Sequence, residues 1–197
     1  KQMSNKVLLI RLLDLILNEI VPETVRGVEE GNKVFGGAIM NKSDLSTVTL
    51  GTNREIENPL YHGEISTLNN FFMHSKHRNV KDFLFISTHE PCPMCLSAIT
   101  WAGFDNIYYF FDYNDTAEMF KISHDLNILK DVFGRVDGDY NRLNSFWQSF
   151  GIKILIENEK PSDRKILLEK SNLITKTYKE LSEKYQKTKN NNDIPLN

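Results

Sequence analysis

The sequence predicts an α/β fold in which a mostly parallel β-sheet is covered by helices on both faces. Three observations predict it. Helix-like and strand-like segments alternate in the order α-β-β-α-β-α-β-α-β, the pattern of a layered sheet with crossover helices. With 197 residues, 40% hydrophobic and 25% charged, the chain can bury one sizeable core, and that length favours one domain over two. No internal repeat divides it.

The elements follow in order. "KVLLIRLLDLIL" holds Arg11 and Asp14 inside its apolar run, and no small-residue cleavage site follows. Residues 7–20 therefore read as a buried amphipathic helix rather than a secretory leader. "VFGGAIM" (34–40) and "STVTLG" (46–51) are short apolar runs joined by a polar "NKSD" turn, the pattern of a hairpin. From His62 to about His77 the apolar Ile65, Leu68, Phe71 and Phe72 recur at helical spacing. "FLFIS" (83–87) reads as a compact strand. "PCPMCLSAITWAG" opens on prolines suited to a first helical turn and closes on Gly103, a C-cap residue. "NIYYFF" (106–111) is a fourth strand, residues 115–133 hold one or two short helices, and "IKILIE" (152–157) reads as a fifth strand. "SFWQSF" (145–150) reads as buried packing, with an aromatic lid as the alternative. Residues 161–186 form a last helix with Ile166, Leu167, Leu173, Ile174, Tyr178, Leu181 and Tyr185 as its apolar stripe. The tail "KTKNNNDIPLN" is polar and expected to fray. Residues 1–160 thus make the domain, with the helix and tail of 161–197 packed on it.

Charge narrows the function classes. The formal net charge of −2 provides no chain-wide basic field to collect nucleic acid, so a small substrate fits better. "HSKHRNVK" (74–81) and the lysines of 176–189 read as solvated faces. No run approaches the roughly 20 apolar residues of a membrane span, and a cytoplasmic location is predicted. The two cysteines, Cys92 and Cys95, stand at C-x-x-C spacing. They make a poor staple for so large a domain, which points to metal or redox chemistry in a reducing compartment.

His62 and Glu64 fall in the first turn of one predicted helix; Cys95 opens another, with Cys92 just ahead of it. If the two helix starts face each other, an imidazole and two thiolates converge. That donor set suits zinc, and three protein ligands leave a fourth tetrahedral position open, as in catalytic sites. A helix N-terminus and a bound cation both favour the thiolate. Glu64, too near His62 to join the same tetrahedron, is left to move protons. A C-x-x-C taken alone also fits a thioredoxin-like redox pair or two buried thiols, but both leave His62 and Glu64 unexplained. A zinc-stabilised binding module without turnover is a further alternative, against which stands the fourth protein ligand that structural sites tend to have. In this order the two elements match the His-x-Glu…Pro-Cys-x-x-Cys signature of zinc-dependent deaminases.

The resemblance extends beyond the signature. "FGGAIMN" (35–41), "GTN" (51–53), "HGEIST" (62–67), "EPCPMCLSAITWAG" (90–103) and "DTAEMF" (115–120) fall in the order found in the cytidine-deaminase-like superfamily. "FGG" and "HGEISTL" look like fungal cytosine deaminases, whereas "EPCPMCLSAI" followed by "DTAEMF" looks like guanine deaminases. Transfer-RNA adenosine deaminases usually carry His-Ala-Glu, a pattern from which Gly63 departs. The resemblance implies a three-layer α/β/α sandwich around a five-stranded mixed sheet, a homodimer, zinc held by His62, Cys92 and Cys95, and Glu64 as the proton carrier. It implies further that Asn53 holds a polar edge of the substrate and that the backbone carbonyl of Glu90 accepts from its amine. Phe35 would stack on the ring, and Asp125 would accept from the 2-amino and ring N–H groups of guanine. Each has a plain alternative: Asn53 as a turn residue, Phe35 as core, Asp125 as a helix cap. The expected reaction is hydrolytic deamination of a free nucleobase or nucleoside, guanine ahead of cytosine or cytidine, with transfer-RNA adenosine as a second alternative.

Overall fold

The computed structural model describes residues 5–74 and 79–197; residues 75–78 of the basic stretch 74–81 lie outside them. The first helix outruns its predicted end. α1 (Asn5–Leu15) passes through a π-helical turn at Ile16–Ile20 into α2 (Val21–Glu29). Pro22 lacks an N–H and would clash with the carbonyl a turn earlier, which argues for a break at residue 20. The wider turn absorbs the missing bond, and Pro22 sits in the first turn of α2.

β1 (Gly36–Asn41) and β2 (Thr47–Thr52) form the expected hairpin. α3 (Gly63–His74) follows, then β3 (Phe83–His89), α4 (Pro93–Ala102) and β4 (Asn106–Phe111). Gly103 ends α4 in the left-handed conformation, φ 88°, which glycine adopts without steric cost. α5 (Tyr113–Glu118) and α6 (His124–Phe133) precede β5 (Gln148–Gly151), α7 (Ile152–Glu157) and α8 (Pro161–Thr188).

The sheet order is β2-β1-β3-β4-β5. β1 runs antiparallel to both neighbours, while β3, β4 and β5 are mutually parallel. The sheet is mixed, as the resemblance implies, and not mostly parallel, because the hairpin inserts β1 beside β3. Strand five is also displaced from its expected place: "QSFG" pairs with β4, Asn106 opposite Gln148 and Tyr109 opposite Gly151, and "IKILIE" is α7. Its isoleucines recur at i, i+2 and i+4, which fits a strand and a helix turn equally over so short a run. Burial decides: Ile152 and Ile156, one turn apart, are buried, while Ile154 between them is 58% exposed. "SFWQSF" packs rather than forming a lid over the site. Trp147 is buried with its indole N–H donating to Thr100 Oγ1 at 2.7 Å, and Phe150 stacks on Tyr108 at 4.8 Å.

The period-two alternation of the strands splits the core in two. Ala38, Met40, Leu84 and Ile86 face one layer with Leu12, Ile20, Ile152, Ile174 and Tyr178, from α1, the π turn, α7 and α8. Ile39, Phe83 and Phe85 face the other with Leu68, Phe71 and Ile99 of α3 and α4. The result is an open α/β/α sandwich of the cytidine-deaminase-like type. No helix among the described residues is long and apolar enough to cross a membrane. The tail does not fray. Asn192 Nδ2 donates to the Gly31 carbonyl at 3.0 Å, Asn197 Nδ2 donates to Asn192 Oδ1 at 2.7 Å, Tyr185 donates to Asn197, and Ile194 is buried. The asparagines that made the tail look unstructured are the groups that tie it down.

Candidate active site

Two helix N-termini meet beside the end of β3. His62 precedes α3 and its carbonyl accepts from Ser66 N at 2.9 Å; Cys92 is the N-cap of α4 and its carbonyl accepts from Leu96 N at 2.9 Å. Pro93 fills the first helical position, where a missing N–H costs nothing. The positive ends of both helix dipoles favour anionic groups here. His62 Nδ1 lies 3.5 Å from Cys92 Sγ and 3.7 Å from Cys95 Sγ, and the three ligand atoms lie within 4.8 Å of one another. Zinc bonded to sulfur at about 2.3 Å and to nitrogen at about 2.0 Å in a tetrahedron sets its N and S ligands about 3.5 Å apart. The triad fits zinc.

Glu64, one residue into α3, is buried beside the triad. Ser87 Oγ on β3 donates to its Oε1 at 3.0 Å, and Cys95 Sγ lies 3.4 Å from its Oε2. Burial pushes the Glu64 carboxyl up and negative charge on Cys92 adds to this; His62 and the Ser87 bond pull it back. Cys92 is drawn well below the ordinary thiol range, chiefly by the hydrogen bond from Cys95 and then, against burial, by His62. Burial pushes Cys95 up. Burial also opposes charge on His62, but its bond to Cys92 and the nearby negative groups prevail and lift it to about 9.

His62, Glu64 and Cys92 border a cavity of about 450 Å³. Phe35, Leu60, Ile122, Ile128 and Leu196 are among its apolar walls; Glu64, His62, Cys92, Glu90 and Asp125 are on its polar side. Phe35 is half-buried, edge-on to His89 at 4.7 Å. Asp125 is in the first turn of α6 but does not cap it, since Ser123 holds the N-cap position. Burial, then the charge of Cys92, raises the Asp125 carboxyl to about 8. Glu90 is fixed from behind: its carboxylate accepts from Tyr140 OH at 2.7 Å, Arg142 Nε at 2.9 Å and Tyr113 N at 3.3 Å. Asn53 is not brought to the cavity wall. Its Oδ1 accepts from the backbone N–H groups of Lys33 and Glu55, each at 3.2 Å, and its Nδ2 donates to Glu55 Oε2 at 2.5 Å.

Sequence reasoning missed Ser87, Glu55, Lys33 and the cavity-lining Pro195 and Leu196. Ser87 left a signal, a polar residue in an otherwise apolar run that leads into the C-x-x-C segment. The glycine of His-Gly-Glu also acquires a reason. A Cβ on Gly63 would come within 2.8 Å of Gly36 N and Cα and 2.9 Å of the Phe35 carbonyl carbon. All three are backbone atoms, so the strand or the helix start has to give way. Gly63→Ala is therefore expected to destabilise the fold by about 1–3 kcal/mol, the range for overpacking. Denaturant titration checks this; an unchanged midpoint refutes the tight packing of α3 on β1.

The sequence model for the family described as "Cytidine and deoxycytidylate deaminase zinc-binding region" matches residues 15–111, the stretch from the end of α1 through the triad to β4. The chain belongs to the cytidine-deaminase-like superfamily. It is a zinc-dependent hydrolytic deaminase. Its structure is similar to that of guanine deaminase from Nitrosomonas europaea (TM-score 0.52, 15% identity, 78% of this chain and 81% of that one). It is also similar to guanine deaminase from Bacillus subtilis (TM-score 0.51, 25% identity, 73% of this chain and 88% of that one). No curated protein matches the deaminase by sequence.

Proposed function

We propose that this deaminase converts the exocyclic amine of a free nucleobase or small nucleoside into a carbonyl with release of ammonia, and that guanine is its preferred substrate. The observation that carries the substrate is Asp125, an acid in the first turn of α6 with no ion-pair partner among the described residues, which borders the same cavity as His62 and Cys92. In its ionised form the Asp125 carboxyl only accepts hydrogen bonds, and guanine offers it two neighbouring donors, N1–H and the 2-amino group, which favour that form against the burial that raises it. Similarity at 25% identity to the guanine deaminase of Bacillus subtilis supports the same choice.

Each residue then has a task. Phe35 lies against one face of the ring, and the Glu90 carbonyl accepts from the departing amine. Zinc held by His62, Cys92 and Cys95 would lower the pKa of a bound water from 15.7 to about 7. Glu64 would take one proton of that water and deliver it to the ring nitrogen as the water oxygen bonds to the amine-bearing carbon; it would then carry the remaining hydroxyl proton to the amine, so that the C–N bond breaks, the C=O bond forms and ammonia leaves. One carboxylate serves both transfers because it lies buried between the triad and the cavity, oriented by Ser87. One molecule of water is consumed and one of ammonia leaves. A second reading, cytosine, is supported by the packing of Gly63 on Gly36, which gives the fungal-type "FGG" and "HGE" motifs a shared physical basis.

Ammonia release from guanine, cytosine, adenine and their nucleosides tests the proposal. Guanine is expected to be turned over fastest. Asp125→Asn should lower kcat/KM for guanine by about 10- to 150-fold, the worth of about 1.5–3 kcal/mol for a hydrogen bond to a charged group, with zinc content unchanged. If cytosine or cytidine proves the better substrate and Asp125→Asn leaves it untouched, the guanine assignment fails and the cytosine reading stands.

A further inference from the structure

Lys33 and Glu55 form a buried ion pair, Nζ to Oε1 at 2.9 Å, with side chains 4% and 3% exposed. A buried pair repays its desolvation only when geometry and further hydrogen bonds are good, so it is weak evidence for stability by itself. Its surroundings are those of a site. Both side chains border the substrate cavity. Glu55 Oε2 accepts from Asn53 Nδ2, and Asn53 Oδ1 holds the backbone N–H groups of Lys33 and Glu55. Lys33 Nζ also donates to the carbonyl of Leu196. Two hydrogen bonds thus fix one carboxylate, and the next group beyond it is His62, whose Nε2 lies 3.8 Å from Glu55 Oε1.

We propose that Glu55 is a positioning residue for His62, and that Lys33 and Asn53 hold it in place for that purpose. His62 presents Nδ1 to both sulfurs, and a nitrogen that ligates a metal carries no proton. The ring proton is therefore on Nε2, the atom that faces Glu55. A carboxylate there selects this tautomer, orients the ring and makes Nδ1 a better donor; such outer partners are worth about 10- to 100-fold in metal affinity. The gap that remains to an ordinary hydrogen bond of about 2.9 Å is under one ångström. The inference also explains why Asn53 turns from the cavity wall: its amide is engaged in fixing Glu55.

The inference rests on His62 as a zinc ligand, and the experiment separates the two. Zinc dissociation constants are measured by competition with a chromophoric chelator for wild type, Glu55→Gln, and the double variant Lys33→Met/Glu55→Leu. The double variant removes both charges, so no lone ammonium is left buried if Glu55→Gln alone fails to fold. Weakening of about 10- to 100-fold is expected, while the melting temperature of the metal-free double variant stays near that of the metal-free wild type. If the wild type binds zinc and the double variant binds it equally well, Glu55 does not position His62. If the wild type binds no zinc, the ligand assignment itself falls. Loss of affinity in step with loss of metal-free stability reduces the pair to a structural role and overturns the proposal.

Discussion

Glu64→Gln is expected to lower turnover by at least roughly 10²- to 10⁴-fold, the contribution of a positioned acid–base group. The substitution is close to isosteric. The glutamine carbonyl oxygen can keep the 3.0 Å bond from Ser87 Oγ, so the side chain should stay where it is. What disappears is the ability to take up a proton and return it, and the other described carboxylates that border the cavity are engaged or placed elsewhere: Glu55 is paired with Lys33, Glu90 is held by Tyr140, Arg142 and Tyr113, and Asp125 sits on α6. KM should move little and zinc should remain at about one per chain, because Glu64 is not part of the ligand tetrahedron. Single-turnover ammonia release with elemental analysis on the same samples separates these effects. A variant with near wild-type turnover removes Glu64 from the mechanism, and a variant that has lost its zinc makes Glu64 a metal-site residue instead.

The parts of the fold that were legible in the sequence are those governed by local chemistry. Prolines and a glycine bracket α4 because a missing N–H is harmless at a helix start and a left-handed residue is needed at its end. The hairpin of β1 and β2 was legible because two apolar runs closed on a short polar turn. What misled was short or context-dependent. "IKILIE" satisfies two periodicities over six residues, and only the sheet edge, already taken by "QSFG", makes it a helix. Pro22 argues for a helix end unless a π turn absorbs it, and nothing local announces one.

The site divides the same way. His62, Glu64, Cys92 and Cys95 stand at two helix starts, so their spacing along the chain already places them. Asp125 was visible only as one of two readings, because an acid in a first turn caps a helix as readily as it lines a cavity. Lys33, Glu55 and Leu196 were invisible. Lys33 and Leu196 stand 163 residues apart, and contacts across that separation depend on how the tail folds back under Gly31 through Asn192. Polar composition, which predicts fraying, does not reveal that the Asn192 and Asn197 amides have partners waiting.

Cys92→Ala is expected to abolish stable zinc binding and, with it, activity. The two thiols are the only cysteines in the chain, so no third sulfur can replace either. His62 and Cys95 alone would leave a zinc ion with half a tetrahedron, and Glu64, whose Oε2 lies 3.4 Å from Cys95 Sγ, is the group that the proposed reaction needs free. The loss should also appear in stability. A ligand that binds only the folded state adds about 2.7 kcal/mol at a free concentration 100 times its dissociation constant. The wild type should therefore melt at a lower temperature after chelation, whereas Cys92→Ala should melt at one temperature with or without chelator. Alanine at position 92 also removes the thiolate hydrogen-bonded to both Cys95 and His62, so the metal-free variant is the fair comparison with metal-free wild type. Elemental analysis after dialysis decides the assignment: full zinc occupancy in Cys92→Ala would mean that the metal is held elsewhere and that the convergence of α3 and α4 on His62, Cys92 and Cys95 is not the zinc site.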